Sequence, residues 1–489
     1  MAFANSSRGA GAALLAMAST AALVFFGTGL HPWWPLLWFA PLPILFFASR
    51  HSWWSTALVS GPAWFVGNLN LLHYFNAVLH MPLPVQVVIL VVPALIFAAT
   101  VLLFRALLGR GAWWSALLSF PTAWVSFEYL LNRVSVHGTA GNLSYSQLNF
   151  LPFLQLASLT GPWGMSFILL LFSTAVAVAA RARHAARQQA WRILGAGWGT
   201  IALVLSFGTV RLALTPGKPQ VRVGLIASDN NIDVAAEGAD TAHLFRAYAP
   251  RVEAAAARGA QVVVLPEKLG VVVDPDAGGT DTLFQSLADE TNAVIVVGLI
   301  YVAPPAKYNQ ARIYTPHRAP HTYDKQHMLP PFESQLQPGT ALTLMPGRPG
   351  IWGVAICKDM DFTPLSRQYG KAGAGLMLVP AWDFVLDRWA HGHIAIMRGV
   401  ENGFSIVRTA RQGYLTVSDD RGRVLAQTQS DSAPFAVLVA DVPTVHDVTL
   451  YTLLGDWFGW LALGLLVFAL FQLCLPARQT RNGNICRSF

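Results

Sequence analysis

The sequence predicts a membrane α-helical bundle of about eight spans carrying one globular α/β domain, and three observations predict it. Of 489 residues, 54% are hydrophobic and only 12% are charged, where an ordinary soluble domain carries about 25% charge. The charge is also segregated. Ahead of Asp229 the sole acidic residue is Glu128, and the first lysine is Lys218. From there to about residue 447 the apolar runs shorten to strand length and alternate with helix-patterned stretches.

The apolar segments come first. Gly11–Leu30, Trp34–Ala48, Trp54–Leu79, Val85–Phe104, Trp113–Leu131, Pro162–Ala180 and Ile193–Leu212 precede the polar half, and Tyr451–Leu475 follows it. Most approach the ~20 residues that cross a bilayer as helix. Trp34–Ala48 is short and interrupted by Pro35, Pro41 and Pro43, so it is the weakest span. Arg8 ahead of the first run resembles the start of a cleaved leader, but the train of later spans favours a retained helix. Expected boundaries are a seven-span bundle over 1–215, an external domain over 216–447 opened by Pro216-Gly217, a last span over 448–476 and a basic tail over 477–489.

Positive residues orient this array. With the N-terminus in the cytoplasm, Arg50, then Arg105 and Arg110, then Arg181, Arg183, Arg187 and Arg192 all fall on the cytoplasmic side, and so do Arg478, Arg481 and Arg487. The intervening loops carry only Arg133. The polar half then lies outside. The net charge of +8 is thereby explained at membrane boundaries; no Lys/Arg cluster with interleaved aromatics marks a nucleic-acid surface. Glu128 is the one carboxylate within the seven spans ahead of the polar half, costly there unless paired. It is either a helix-end carboxylate in the interface or a functional group, with Arg133 its nearest partner in sequence.

Within the polar half, "VRVGLIAS" (221–228), "QVVVLPE" (261–267), "VIVVGLIY" (295–301 for its last seven residues), "ARIYT" (311–315), "GIWGVAIC" (350–357) and "GLMLVPAWD" (375–383) read as strands. Residues 241–260, 281–293 and 389–403 read as helices. Continuous apolar strands separated by helices indicate an α/β fold whose sheets are covered. In such folds reactive groups gather where strands end. Glu267 closes "VVVLPE", Lys325 lies in "YDKQHMLPPFE", and Cys357 closes "GVAIC".

Each residue alone has an ordinary explanation: a thiol as a small core hydrophobe, a loop glutamate, an exposed lysine. Together they form an acyl-transfer set. A thiol with a pKa of ~8.5 is only a few per cent thiolate at neutral pH, so it needs a base such as a carboxylate. A fixed ammonium then stabilises the oxyanion that forms on attack at a carbonyl. The other cysteines, Cys474 and Cys486, fall in the last span and the inner tail, so Cys357 has no disulfide partner on its side. His327, His391 and His393 are alternative bases on the same reasoning. Neither a metal nor a cofactor is called for.

The order "LPE", "YDK", "IC" resembles the carbon–nitrogen hydrolase (nitrilase) superfamily. Within it the chain resembles the apolipoprotein N-acyltransferase family, through "FAPLPILFF", "WVSFEYLLNR", "LSYSQLNFLPFLQLASLTGPWGMSF", "YDKQHMLPPFE" and "HIAIMRGVENGFSIVRTARQG". The resemblance implies an α-β-β-α sandwich with Cys357 as nucleophile, Glu267 as general base and Lys325 as oxyanion stabiliser. Glu333 matches a further glutamate that orients them. It also implies a phospholipid acyl donor, a diacylated lipoprotein acceptor, contact with membrane lipid, and a catalytic domain outside a bacterial inner membrane.

The chain departs from that pattern near the expected cleft. Lys358-Asp359 stands where the family favours Tyr-Glu, "IASDNN" where it runs into Gln-Gly-Asn, and Asp383 in "VPAWDF" where it has Asn-Asp-Ala-Trp. Lys358 beside the thiol would favour thiolate if it points inward. A membrane-tethered amidase with the same three residues and a non-catalytic lipoprotein-binding paralogue are the rival readings; a transporter is weaker, since the spans lack paired charges.

Overall fold

The computed structural model describes residues 2–183, 185–214, 219–230, 239–274, 277–347 and 349–476. The expected linker at Pro216-Gly217 and the basic tail with Cys486 lie outside them. The chain divides into two compact units: Met1–Tyr129, Ser166–Leu203 and Trp457–Phe489 in one, Leu130–Met165 and Val204–Asp456 in the other.

The first unit is helical. Among the described residues, five helices are long and apolar enough to cross a membrane: Gly9–Gly27, Leu83–Gly109, Ala157–Ala182, Arg187–Ala213 and Trp457–Cys474. Three of the eight expected spans fall short of that standard, for separate reasons. Pro41 divides Trp34–Ala48 into helices Trp34–Phe39 and Leu42–Ala48. The third segment keeps only 15 helical residues, Trp53–Gly67, about 22 Å of rise against an apolar thickness of about 30 Å. Trp113–Val134 has the length, but Ser115, Ser119, Thr122, Ser126, Glu128 and Asn132 lower its hydropathy. Leu14, Phe26, Leu58, Leu95 and Leu203 face outward, an apolar surface suited to lipid. Glu128 is buried and accepts the Trp124 indole N–H at 3.0 Å.

The second unit is the α/β domain. Its strands are β1 (Gln220–Ala227), β2 (Val262–Val264), β3 (Val271–Val273), β4 (Val294–Ala303), β5 (Ala306–Tyr314), β6 (His321–Asp324), β7 (Thr343–Pro346), β8 (Ile351–Val354), β9 (Ala374–Trp382), β10 (Ser405–Arg411), β11 (Tyr414–Ser418), β12 (Val424–Gln429) and β13 (Ala436–Pro443). One sheet runs β13-β1-β2-β4-β5-β6 with β3 added beside β4, and the other runs β12-β11-β10-β9-β8-β7. The central pairs β1–β2, β2–β4, β8–β9 and β9–β10 are parallel. Such strands are buried on both faces, which is why they read as unbroken apolar runs.

Alternation along each strand divides the core. Val223, Leu225, Val264 and Val296 of the first sheet meet Val354, Leu378, Val407 and Val417 of the second in one cluster. Ile226, Val263, Ile295 and Val297 turn the other way, onto Phe245, Tyr248, Val252 and Phe284 of helices Ala239–Ala257 and Ala277–Thr291. Met377, Val379 and Ile406 similarly meet Leu365, Tyr369 and Ala395 of helices Thr363–Lys371 and Arg388–Asn402. The result is the α-β-β-α sandwich.

Candidate active site

Three strand ends build the site. β2 runs into Leu265-Pro266-Glu267, where the Glu267 N–H reaches the Ala381 carbonyl of the other sheet at 3.3 Å. This turn lies close against β4: a Cβ added at Gly298 would come 2.3 Å from the Pro266 carbonyl oxygen, so glycine is required there. β6 ends at Asp324, and Lys325 continues it with its N–H on the Asn309 carbonyl at 2.8 Å. β8 ends at Val354, and the chain turns into the short 3₁₀ helix Cys357–Asp361. Cys357 begins that turn at φ 43°, a left-handed conformation that costs a non-glycine residue about 1–3 kcal/mol and tends to occur at functional sites.

Glu267, Lys325, Glu333 and Cys357 line one pocket, as sequence reasoning grouped them. Lys325 Nζ donates to Glu267 Oε1 at 2.8 Å and to Glu333 Oε2 at 2.8 Å. All three side chains are almost wholly removed from solvent. Two neighbours that the sequence did not flag complete the array. Lys268 Nζ donates to Glu333 Oε1 at 2.9 Å, and Asn309 Nδ2 donates to Glu267 Oε1 at 2.6 Å and Glu333 Oε1 at 2.8 Å. Lys268 follows Glu267 directly and could have been noticed; Asn309 reaches the site only through the pairing of β5 with β4 and β6. The Cys357 thiol donates to the Trp382 carbonyl at 3.5 Å.

The electrostatics fix the resting protonation of two groups. Burial disfavours the Lys325 ammonium, yet Glu267 and Glu333 outweigh that cost and hold its pKa well above the lysine range. Burial, then the Glu267 carboxylate, push the Cys357 thiol well above its usual range, with Lys325 pulling back part of the way. Burial alone would raise Glu333, but Lys325 and Lys268 hold it well below the usual carboxylate range. The resting site therefore holds a neutral thiol beside a fixed ammonium, and an acceptor for the thiol proton is required before attack.

The two departures after Cys357 separate. Lys358 points inward and lines the pocket. Asp359 is fully buried and serves the backbone: its Oδ2 takes Ile356 N–H at 3.1 Å and the Tyr323 hydroxyl at 2.8 Å, and its Oδ1 takes the N–H groups of Gln326 and His327 at 3.1 and 2.9 Å. Asp383 is bound in a two-pronged pair by Arg408, with Nη1 at 2.8 Å and Nη2 at 2.5 Å. The alternative bases are otherwise engaged. His327 Nδ1 lies 3.0 Å from Asp359 and its ring stacks on Phe362. His393 bonds the Trp389 carbonyl at 2.8 Å, with its pKa lowered to about 4 by burial. His391 lines the pocket but holds Asp387 at 3.1 Å.

The free space in this pocket is about 30 Å³, room for a water but not for an acyl chain. Phe384 lines it, and the Phe332 ring centroid lies 5.6 Å from that of Phe384.

Comparison with known proteins covers most of the chain. Residues 20–175 match the apolipoprotein N-acyltransferase N-terminal domain, and residues 234–445 match the carbon–nitrogen hydrolase family. The apolipoprotein N-acyltransferase of Geobacter metallireducens is 26% identical over 466 residues, covering 87% of this chain and 88% of that one. That of Haemophilus ducreyi is 23% identical over 461 residues, covering 86% and 87%. Among solved structures, an amidase from Nesterenkonia sp. is 20% identical with a TM-score of 0.41, over 47% of this chain and 93% of that one.

Proposed function

We propose that the chain is a member of the apolipoprotein N-acyltransferase family, the membrane branch of the carbon–nitrogen hydrolase superfamily, on the strength of both family matches and its full-length relatives, and that it moves an acyl chain from a phospholipid to the N-terminal diacylglyceryl-cysteine of a lipoprotein. The observation that carries this reading is the joint placement of Cys357, Glu267 and Lys325 in one buried pocket, with Glu333 bridging Lys325 and Lys268.

In the first half-reaction Glu267 takes the Cys357 proton and the thiolate attacks the sn-1 ester carbonyl carbon. Lys325 faces the oxyanion of the tetrahedral intermediate. When the C–O bond breaks, Glu267 returns the proton to the departing glycerol oxygen, leaving an acyl-thioester and a lysophospholipid. In the second half the acceptor amine attacks the thioester, Glu267 takes a proton from nitrogen, and that proton goes to the departing thiolate. Both substrates keep their acyl chains in lipid, which gives the apolar helices their purpose. We place the α/β domain on the periplasmic side of the inner membrane, on the strength of the arginine distribution.

The test is to incubate the purified protein with phospholipid and look for a hydroxylamine-labile acyl adduct on Cys357 by mass spectrometry, then add a diacylated cysteinyl peptide. Acyl transfer to the peptide is expected. Loss of the adduct to water alone would mark a hydrolase instead, and an adduct that survives Cys357→Ala would remove the nucleophile.

A further inference from the structure

Four cationic side chains line the pocket: Lys268, Lys325, Lys358 and His391. Three are tightly held. Lys325 has two carboxylate contacts at 2.8 Å, Lys268 has Glu333 at 2.9 Å, and His391 has Asp387 at 3.1 Å. Lys358 differs. Its ammonium carries three N–H donors, is 5% exposed, and among the described residues meets only His137 Nδ1 at 3.3 Å and Asp361 Oδ2 at 3.4 Å, with the Phe362 ring at 5.7 Å. Both polar contacts lie beyond the usual range for a charge-assisted bond, about 2.7–2.9 Å. Asp361 is moreover shared, since His391 Nδ1 lies 3.8 Å from its other oxygen. His137 cannot compete for an anion: burial, then Lys358, lower its pKa, leaving a neutral ring that accepts from Lys358. Lys358 is thus a nearly dehydrated cation with unused donor capacity, one residue from the thiol and on the wall of the pocket where the thiol reacts.

A phospholipid whose sn-1 ester carbonyl sits at Cys357 brings its phosphodiester close by, tied to the same glycerol. We infer that Lys358 is the donor-phosphate contact, with its ammonium turning from the long Asp361 and His137 contacts to a non-bridging phosphate oxygen when the donor binds. This inference rests on the phospholipid-donor reading. It makes Lys358 a specificity residue: it favours acyl esters that carry a phosphate over those that do not, and it takes no part in the second half-reaction, whose acceptor has none.

The experiment compares two donors with the same sn-1 ester, a phosphatidylglycerol and a diacylglycerol, in mixed micelles with the full-length protein. The reading is the initial rate of Cys357 acylation at subsaturating donor. The wild type is expected to prefer phosphatidylglycerol, and Lys358→Gln to lose that preference by about 10- to 100-fold, the worth of a charge-assisted hydrogen bond. The diacylglycerol rate should fall far less than the phosphatidylglycerol rate, so that the ratio of the two collapses, and Lys358→Arg should restore the preference. Transfer from preformed acyl-enzyme to the peptide should show no loss in Lys358→Gln comparable to the loss of donor preference. Equal slowing of both donors would show that Lys358 only supports the fold around Asp361 and would overturn the inference. So would a preference that survives Lys358→Gln, or a wild type with no preference. If neither donor acylates the wild type, the phospholipid reading itself fails and takes this inference with it.

Discussion

Asp359 Oδ1 accepts the His327 backbone N–H at 2.9 Å, and that bond joins the loop carrying the thiol to the loop carrying the ammonium. The same carboxylate holds Ile356 N–H, one residue before Cys357, and Gln326 N–H, one residue after Lys325. Nucleophile and oxyanion partner are therefore spaced by one buried side chain that does not itself line the pocket.

Asp359→Ala should thus damage both stability and chemistry. Several buried N–H groups lose their acceptor, each at about 1–3 kcal/mol, and the two loops lose their common spacer. The expected outcome is a clearly lowered Tm and an acylation rate reduced on the order of 10²-fold, the scale for misplacing reacting groups by about 1 Å. Asp359→Asn, which keeps one acceptor oxygen, should fall between. Thermal unfolding and Cys357 adduct formation measure the two effects; normal acylation in Asp359→Ala would refute the spacing role.

How much of this was legible beforehand follows from what kind of information each residue carries. Glu267, Lys325 and Cys357 follow the ends of strands, and strand runs are written locally as apolar periodicity, so their gathering where strands of the two sheets end could be anticipated. Glu333 came only through family resemblance. Asn309 and Arg408 were invisible: each lies inside a strand (β5 and β10) and reaches the site through sheet register, which a single sequence does not record. The same limit explains the spans. Apolar composition located the membrane segments, but whether Trp54–Leu79 continued as one helix depended on backbone at Asn68–Leu71, where it tightens into a 3₁₀ turn.

The Cys357 thiol is raised by burial and by Glu267, and lowered by Lys325. Its alkylation by iodoacetamide should accordingly be slow at neutral pH, with a midpoint above the ~8.5 of a free thiol. Removing the negative neighbour with Glu267→Gln should move the midpoint down while abolishing acyl transfer, and Lys325→Met should move it up. Peptide-level mass spectrometry separates Cys357 from Cys474. A Glu267→Gln profile that matches the wild type would mean that Glu267 does not act on the thiol.

Glu333 gives a prediction with a definite sign. Its folded pKa is held below its ordinary value of 4.5 by Lys325 and Lys268, so the folded state binds fewer protons than the unfolded chain. Its contribution is complete above pH 4.5 and is lost as pH falls through the folded value. From about pH 5 downward, below the unfolded value and toward the folded one, Tm should drop more steeply in the wild type than in Glu333→Gln. The variant should also be less stable at neutral pH, because Lys268 and Lys325 then share one carboxylate. Parallel Tm–pH curves would show that Glu333 does not carry the acid sensitivity.

Asp383 and Arg408 form a further buried pair beside the pocket, and their double hydrogen bond makes the pair separable by mutation. Each is at most about 2% exposed, so either charge alone would be left without water or partner. Burial would raise the Asp383 carboxyl, and Arg408 pulls against it. Arg408→Ala should cost about 3–5 kcal/mol, the range for breaking a buried ion pair from one side. Adding Asp383→Asn to that variant should recover a large part of the loss, because no unpaired charge remains. The pair adjoins the pocket through Asp383, so the double variant also tests whether the charge there matters for chemistry. If folding recovers and acylation recovers with it, the pair is structural support for the Trp382 carbonyl and the Cys357 turn. If folding recovers and acylation does not, the Asp383 carboxylate acts on the substrate. Unfolding free energies of the single and double variants, read with their adduct yields, decide between the two, and a near-neutral Arg408→Ala would refute the account of the pair itself.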